Sequence, residues 1–157
     1  MESRQTLHMG RWDVGIPGVV VLPGERSVRG RGLHGEAPTG DSAPEFGLYL
    51  TSKPHSEAGW ESRWISWPDF RLPRSAGEAL DALRDAYERS ATMKVEIACS
   101  GGTGRTGTAI AILARYAGAP AEDAVAWVRA NYRGRAVETP AQRRFVRRAD
   151  LAAHGLA

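Results

Sequence analysis

The apolar positions of this chain fall into short runs in its first half and into helical spacing in its second. Val19-Val20-Val21-Leu22 is a β-branched run closed by Pro23 and Gly24, which predicts a strand and then a turn. Phe46 to Leu50 and Arg63 to Ser66 read as two further strands, and Val95-Glu96-Ile97-Ala98 as a short fourth one. Residues 30–45 carry four glycines and two prolines among Arg, Glu and Asp, and read as a loop. Ala79, Leu80, Leu83 and Tyr87 recur at helical spacing across residues 76–89, with Ser75 placed to cap that helix. An Ala/Ile/Leu-rich stretch running to about Tyr116 predicts a second helix. Ala124, Val125, Trp127 and Val128 mark a third, and Pro140 opens a last one with Phe145 and Val146 facing inward. Strands, a helix, a central strand and then three helices predict an α/β fold. The expectation is a single domain over residues 1–157, a central, mostly parallel sheet flanked by helices, with residues 1–11 as a loose tail.

Composition narrows the class. Hydrophobic residues make up 42% and charged residues 25% of the 157, so the chain has the make-up of a globular domain rather than of a disordered one. No stretch approaches the ~20 apolar residues that cross a bilayer. Met1 to Gly10 is polar and lacks the apolar core of a signal peptide, so a cytoplasmic location is expected, with no membrane partner. Cys99 is the only cysteine, which rules out an internal disulfide and any four-cysteine or CxxC metal site. His8, His34, His55 and His154 are too scattered to form a zinc motif; no metal and no cofactor are expected. The net charge of +3 is carried almost wholly by arginine, since Lys53 and Lys94 are the only lysines. Arginine suits bidentate contacts to phosphate and carboxylate, and equally a plain solvated surface.

The segment Cys99-Ser100-Gly101-Gly102-Thr103-Gly104-Arg105-Thr106-Gly107 lies between a predicted strand and a predicted helix. A helix N-terminus presents unpaired backbone N–H groups and the positive end of the dipole, and so binds phosphate. Gly101, Gly102 and Gly104 let the backbone curl so that successive amides, with Ser100 and Thr103, converge on one anion. Arg105 can add two parallel charge-assisted hydrogen bonds. Such surroundings favour a thiolate at Cys99, in line with a bound phosphoryl group, and Thr106 is placed to donate to the sulfur as it leaves. A nucleotide-binding loop overlaid from Gly102 fails, because Thr108 stands where its lysine belongs and Ala109 where its hydroxyl belongs. A buried structural cysteine is the other plain reading.

Cys99 to Gly107 resembles the cysteine–five residues–arginine signature of protein tyrosine phosphatases in its glycine-rich form. Trp67-Pro68-Asp69-Phe70-Arg71-Leu72-Pro73 is similar to the mobile acid loop of that family, and Thr139-Pro140-Ala141-Gln142-Arg143-Arg144-Phe145 to its late glutamine-bearing loop. The resemblance covers about residues 60–146. It implies a metal-independent phosphatase acting on phosphotyrosine, with phosphoserine and phosphothreonine as further candidates. Cys99 would be the nucleophile and form a phosphocysteine, Arg105 the clamp and Asp69 the proton donor. Thr106 and Gln142 would complete the site. The implied partners are a phosphorylated protein or peptide and oxyanions such as phosphate or vanadate. A monomer is expected.

Three departures matter. Ala98 stands where the family usually has histidine, which predicts slower turnover near neutral pH. Glu138 replaces the first of two glutamines. The Ser100–Gly104 stretch holds no lysine, which favours phosphomonoesters over multiply phosphorylated lipids. Trp12, Tyr49, His55 and Trp60 are candidates for stacking on a phosphotyrosine ring, each with a plain packing role as the simpler alternative. Arg129, Arg133, Arg135, Arg143, Arg144, Arg147 and Arg148 cluster late in the chain without interleaved aromatics, so they read as a solvated helical face and not as a nucleic-acid surface. A phosphate-reading module with little turnover is the alternative from another class. Sulfurtransferase and arsenate-reductase chemistry fit the Trp-Pro-Asp segment less well, and one cysteine leaves arsenate chemistry without a disulfide partner.

Overall fold

The computed structural model describes residues 11–154, so most of the expected tail lies outside the described residues. Five strands form one sheet: β1 Val19–Val21, β2 Ser27–Gly32, β3 Phe46–Thr51, β4 Glu61–Ser66 and β5 Val95–Cys99. Their spatial order is β1-β2-β5-β3-β4, with β1 antiparallel to β2 and every other pairing parallel. Four helices follow the pattern of the sequence: α1 Ala76–Arg89, α2 Gly104–Tyr116, α3 Ala124–Asn131 and α4 Pro140–Arg148. The fold is the expected single-domain α/β arrangement with a mostly parallel sheet. Ser75 caps α1 by accepting from the Glu78 amide at 3.2 Å. Thr139 and Gln142 form a reciprocal capping box at the start of α4, where Pro140 is the first helical residue.

β5 is central and fully buried. Its residues alternate between two chemically different faces. Val95, Ile97 and Cys99 join Val28, Phe46, Leu48, Leu50 and Ile65 in one apolar core that reaches residues of all four helices. The opposite face carries Glu96, fully buried. Its Oε1 accepts from Arg29 Nε at 3.1 Å and Arg31 Nε at 2.8 Å, and its Oε2 accepts from the Tyr49 hydroxyl at 2.8 Å. Burial alone would raise the Glu96 carboxyl, but the Arg31 and Arg29 guanidiniums and the Tyr49 hydroxyl outweigh it and hold it below the usual carboxylate range. Trp60 donates to the Tyr49 hydroxyl at 2.7 Å, and Trp12 donates to the Val95 carbonyl at 2.8 Å while its ring lies under Arg29. Trp12, Tyr49 and Trp60 are therefore tied into the packing of this face.

β2 corrects the reading of residues 30–45 as loop from their first residue. Ser27–Gly32 reads Ser-Val-Arg-Gly-Arg-Gly and has no apolar run. Arg29 is buried and Arg31 partly buried because Glu96 pairs with both, so a charged strand sits inside the sheet. Its pairing with β5 sets Gly32 beside Cys99.

Candidate active site

Cys99 ends β5, and the chain turns through Ser100–Thr103 before α2 begins at Gly104. Cys99 is 2% exposed, and its sulfur accepts from the Gly102 amide at 3.2 Å. Gly102 has φ +77°, and a Cβ there would lie 2.6 Å from the Gly32 nitrogen. Gly32 is equally constrained, since its own Cβ would lie 2.7 Å from the Gly101 oxygen. The loop is thus wedged against the end of β2 by two glycines that cannot carry side chains without displacing backbone.

Arg105 enters from the first turn of α2 and is 3% exposed. Its Nη1 donates to the Trp67 carbonyl at 3.0 Å, and its Nη2 lies 3.4 Å from Asp69 Oδ1. One guanidinium therefore joins the Cys99 loop to the Trp67–Pro73 segment. Trp67 is fully buried and its indole donates to the Arg71 carbonyl at 2.7 Å, closing that segment on itself. Asp69, by contrast, has a side chain 58% exposed. Phe70 beside it is exposed and has φ +60°, a left-handed conformation that costs a bulky residue about 1–2 kcal/mol.

Cys99, Asp69, Phe70, Gly101, Thr103, Gly104, Arg105 and Glu138 line one cleft of about 170 Å³. That is the space of several waters, enough for a phosphoryl group. A second hollow of about 470 Å³ shares Asp69 and Arg105 with it and is bordered by Ser100, Thr51, Lys53 and His55. Thr106, in the first turn of α2, is fully buried, and its hydroxyl has no hydrogen-bond partner, so the expected bond to the Cys99 sulfur is not formed here. Gln142 is not part of the cleft wall. It is fully buried, accepts from the Glu138 amide at 2.9 Å and the Thr139 amide at 3.2 Å, and donates to the Arg71 carbonyl at 3.4 Å. The side chain that reaches the cleft from this region is that of Glu138, which a methyl group on Gly104 would overlap.

Two residues brace the loop in a way the sequence does not foreshadow. The Tyr132 hydroxyl donates to the Gly102 carbonyl at 2.5 Å, and Arg133 Nη1 donates to the Gly101 carbonyl and to Thr103 Oγ1, each at 3.0 Å. Burial pushes the Tyr132 phenol above the ordinary tyrosine value. The late arginine cluster therefore divides. Arg133 braces the loop and Arg129 donates to the carbonyls of Ala136 and Val137, while Arg135, Arg143, Arg144, Arg147 and Arg148 are exposed as a solvated surface. No spacing rule could have found Tyr132 or Arg133, because they lie some 30 residues from the loop and donate mainly to its backbone carbonyls. Among the described residues, no helix is long and apolar enough to cross a membrane, and no three His, Cys, Asp or Glu side chains are grouped to hold a metal ion.

Fold and loop together define an α/β domain that carries its cysteine on a strand–loop–helix turn beside a buried arginine. The chain belongs to the protein-tyrosine phosphatase family, whose family model matches residues 45–151. It is similar to the crystal structure of Tk-PTP in the active form, with 30% identity and a TM-score of 0.55 over 68% of this chain and 81% of that one. A mutant form of Tk-PTP gives 31% identity and a TM-score of 0.57 over 66% of this chain and 74% of that one. No curated protein matches the chain. The family and the structural likeness support phosphatase activity.

Proposed function

We propose that this protein hydrolyses phosphotyrosine in phosphorylated proteins or peptides through a phosphocysteine on Cys99, with no metal ion taking part. The observation that carries the reading is the convergence of the Cys99 sulfur, the Arg105 guanidinium and the Asp69 carboxyl on one small cleft. In this scheme Arg105 and the loop amides hold the phosphoryl oxygens and stabilise charge on the transferring group. The Cys99 thiolate attacks phosphorus as the bond to the ester oxygen breaks, and protonated Asp69 gives its proton to that leaving oxygen. Water then attacks phosphorus, Asp69 takes its proton, and the thiolate leaves with inorganic phosphate formed. The Thr106 hydroxyl makes no hydrogen bond in this state, the Cys99 sulfur included, and in this scheme becomes the donor to the sulfur as it departs.

Phe70 offers an aromatic surface at the cleft for a tyrosyl ring, which supports an aryl phosphate as the preferred ester. The larger neighbouring hollow gives space for the rest of a peptide. Phosphoserine and phosphothreonine are slower substrates in this scheme. A single cysteine suits a reducing compartment, in keeping with action in the cytoplasm.

The test is hydrolysis of a generic aryl phosphate between pH 5 and 8 in the presence of a chelator. The parent turns over, Cys99→Ser abolishes turnover, and Asp69→Ala lowers kcat by roughly 100- to 10,000-fold. A parent that binds phosphate or vanadate without turnover would instead be a phosphate-reading module, the reading that Ala98 and Glu138 favour.

A further inference from the structure

A loop that aims its amides at one anion must turn its carbonyls away from it, and those carbonyls then need donors of their own. The supply is complete here. The Cys99 and Ser100 carbonyls accept from the amides of Leu33 and His34 at 2.9 and 3.1 Å. The Thr103 carbonyl accepts from the Gly107 amide at 2.8 Å, and the Gly104 carbonyl from the Thr108 hydroxyl at 2.7 Å. Between these, at the tip of the loop, no backbone donor is in reach. Gly101 and Gly102 are served by two side chains from the end of α3, Arg133 and Tyr132.

Holding a carbonyl fixes the amide across the same bond. All peptides of the described residues lack a cis bond, so each N–H points opposite its neighbour's C=O. The peptide whose oxygen Arg133 holds has the Gly102 N–H at its other side, and that N–H donates to the Cys99 sulfur. The peptide whose oxygen Tyr132 holds has the Thr103 N–H at its other side. The sheet leaves room for the brace: a Cβ on Gly30 would lie 2.4 Å from the Tyr132 hydroxyl, so β2 carries glycine where the phenol passes.

We propose that Tyr132 and Arg133 are positioning residues that set the two central peptides of the phosphate loop and thereby the oxyanion affinity of the site. This rests on the reading of the loop as an oxyanion cradle. Neither side chain lines the cleft; Tyr132 acts through backbone, and Arg133 through backbone and the Thr103 hydroxyl. Losing either donor frees its peptide to rotate and leaves a carbonyl unpaired.

The test measures binding of inorganic phosphate to the full chain by calorimetry, for the parent, Tyr132→Phe, Arg133→Met and Arg133→Lys, with thermal melting as a check on folding. Tyr132→Phe changes no charge and keeps the ring, so any loss is due to the hydroxyl. Tyr132→Phe and Arg133→Met each weaken phosphate binding about tenfold, the effect of one hydrogen bond. Arg133→Lys recovers part of the loss. A purely structural role would lower the melting temperature and leave the affinity of the folded protein intact, and parent-like affinity in both variants would overturn the proposal. Arg133 is only half-buried, so Arg133→Met decides the matter if Tyr132→Phe does not fold. The readout needs no turnover. A parent that binds phosphate but hydrolyses nothing would sink the phosphatase reading and leave this one to be judged on the variants. A parent that binds no phosphate would remove the cradle, and the proposal with it.

Discussion

The two loops that meet at the cleft are built on opposite principles. From Cys99 to Gly104 every carbonyl is held by a donor, the sulfur accepts from an amide of its own loop, and glycine backbone is wedged against β2. The Trp67–Pro73 segment is anchored at Trp67 and Pro73, both buried, while Asp69 and Phe70 between them are exposed, with Phe70 in a left-handed conformation. Its ties to the rest of the site are few: Arg105 to the Trp67 carbonyl, Arg105 to Asp69, and Gln142 to the Arg71 carbonyl. The contrast separates the tasks. Stabilising charge on phosphorus needs groups that are in place before the reaction, because reorganising them would raise the barrier. Delivering a proton needs a group that can reach the leaving oxygen and then let product out.

The comparison can be broken from either side. The largest effect is expected for Gly102→Ala. The substitution puts a side chain at φ +77° and within 2.6 Å of β2 backbone, which has no flexible end to yield. It should cost about 3 kcal/mol or more in stability, the left-handed penalty plus overpacking, and remove phosphate binding; denaturant unfolding and calorimetry read both. Parent-like phosphate affinity in that variant would mean that the loop is not rigidly wedged. A smaller effect is expected for Gln142→Ala. It frees the Glu138 and Thr139 amides and the Arg71 carbonyl. The prediction is a stability loss of about 2 kcal/mol and a drop in kcat of about tenfold, with phosphate affinity unchanged, since the cradle is untouched. Loss of phosphate affinity instead would place Gln142 in the cradle and not behind the acid loop.

Legibility in the sequence followed locality. α1 was readable to its ends because its periodicity and its Ser75 cap lie within one stretch of chain, and the apolar strands β1, β3 and β5 were readable for the same reason. β2 was not, because its burial depends on Glu96 some 67 residues away: Arg29 and Arg31 look like surface until their partner is known. Cys99 and Arg105 share one contiguous loop, so their meeting could be inferred from seven adjacent residues, and Asp69 from a short proline-flanked segment. Gln142 was found as part of a motif, yet its motif does not reveal that it caps α4 and reaches Arg71 while Glu138 takes the cleft wall. Tyr132 and Arg133 were hidden altogether, one as an ordinary aromatic and the other as one arginine of a cluster.

The central claim is that Cys99 carries the phosphoryl group between the two half-reactions, and acid-quenched mass analysis of the protein mixed with an aryl phosphate tests it directly. The account predicts a transient species heavier by one phosphoryl group, mapped to the peptide that contains Cys99 and absent from Cys99→Ser. Turnover with no such species at any quench time, or a phosphoryl group on another residue, would contradict it.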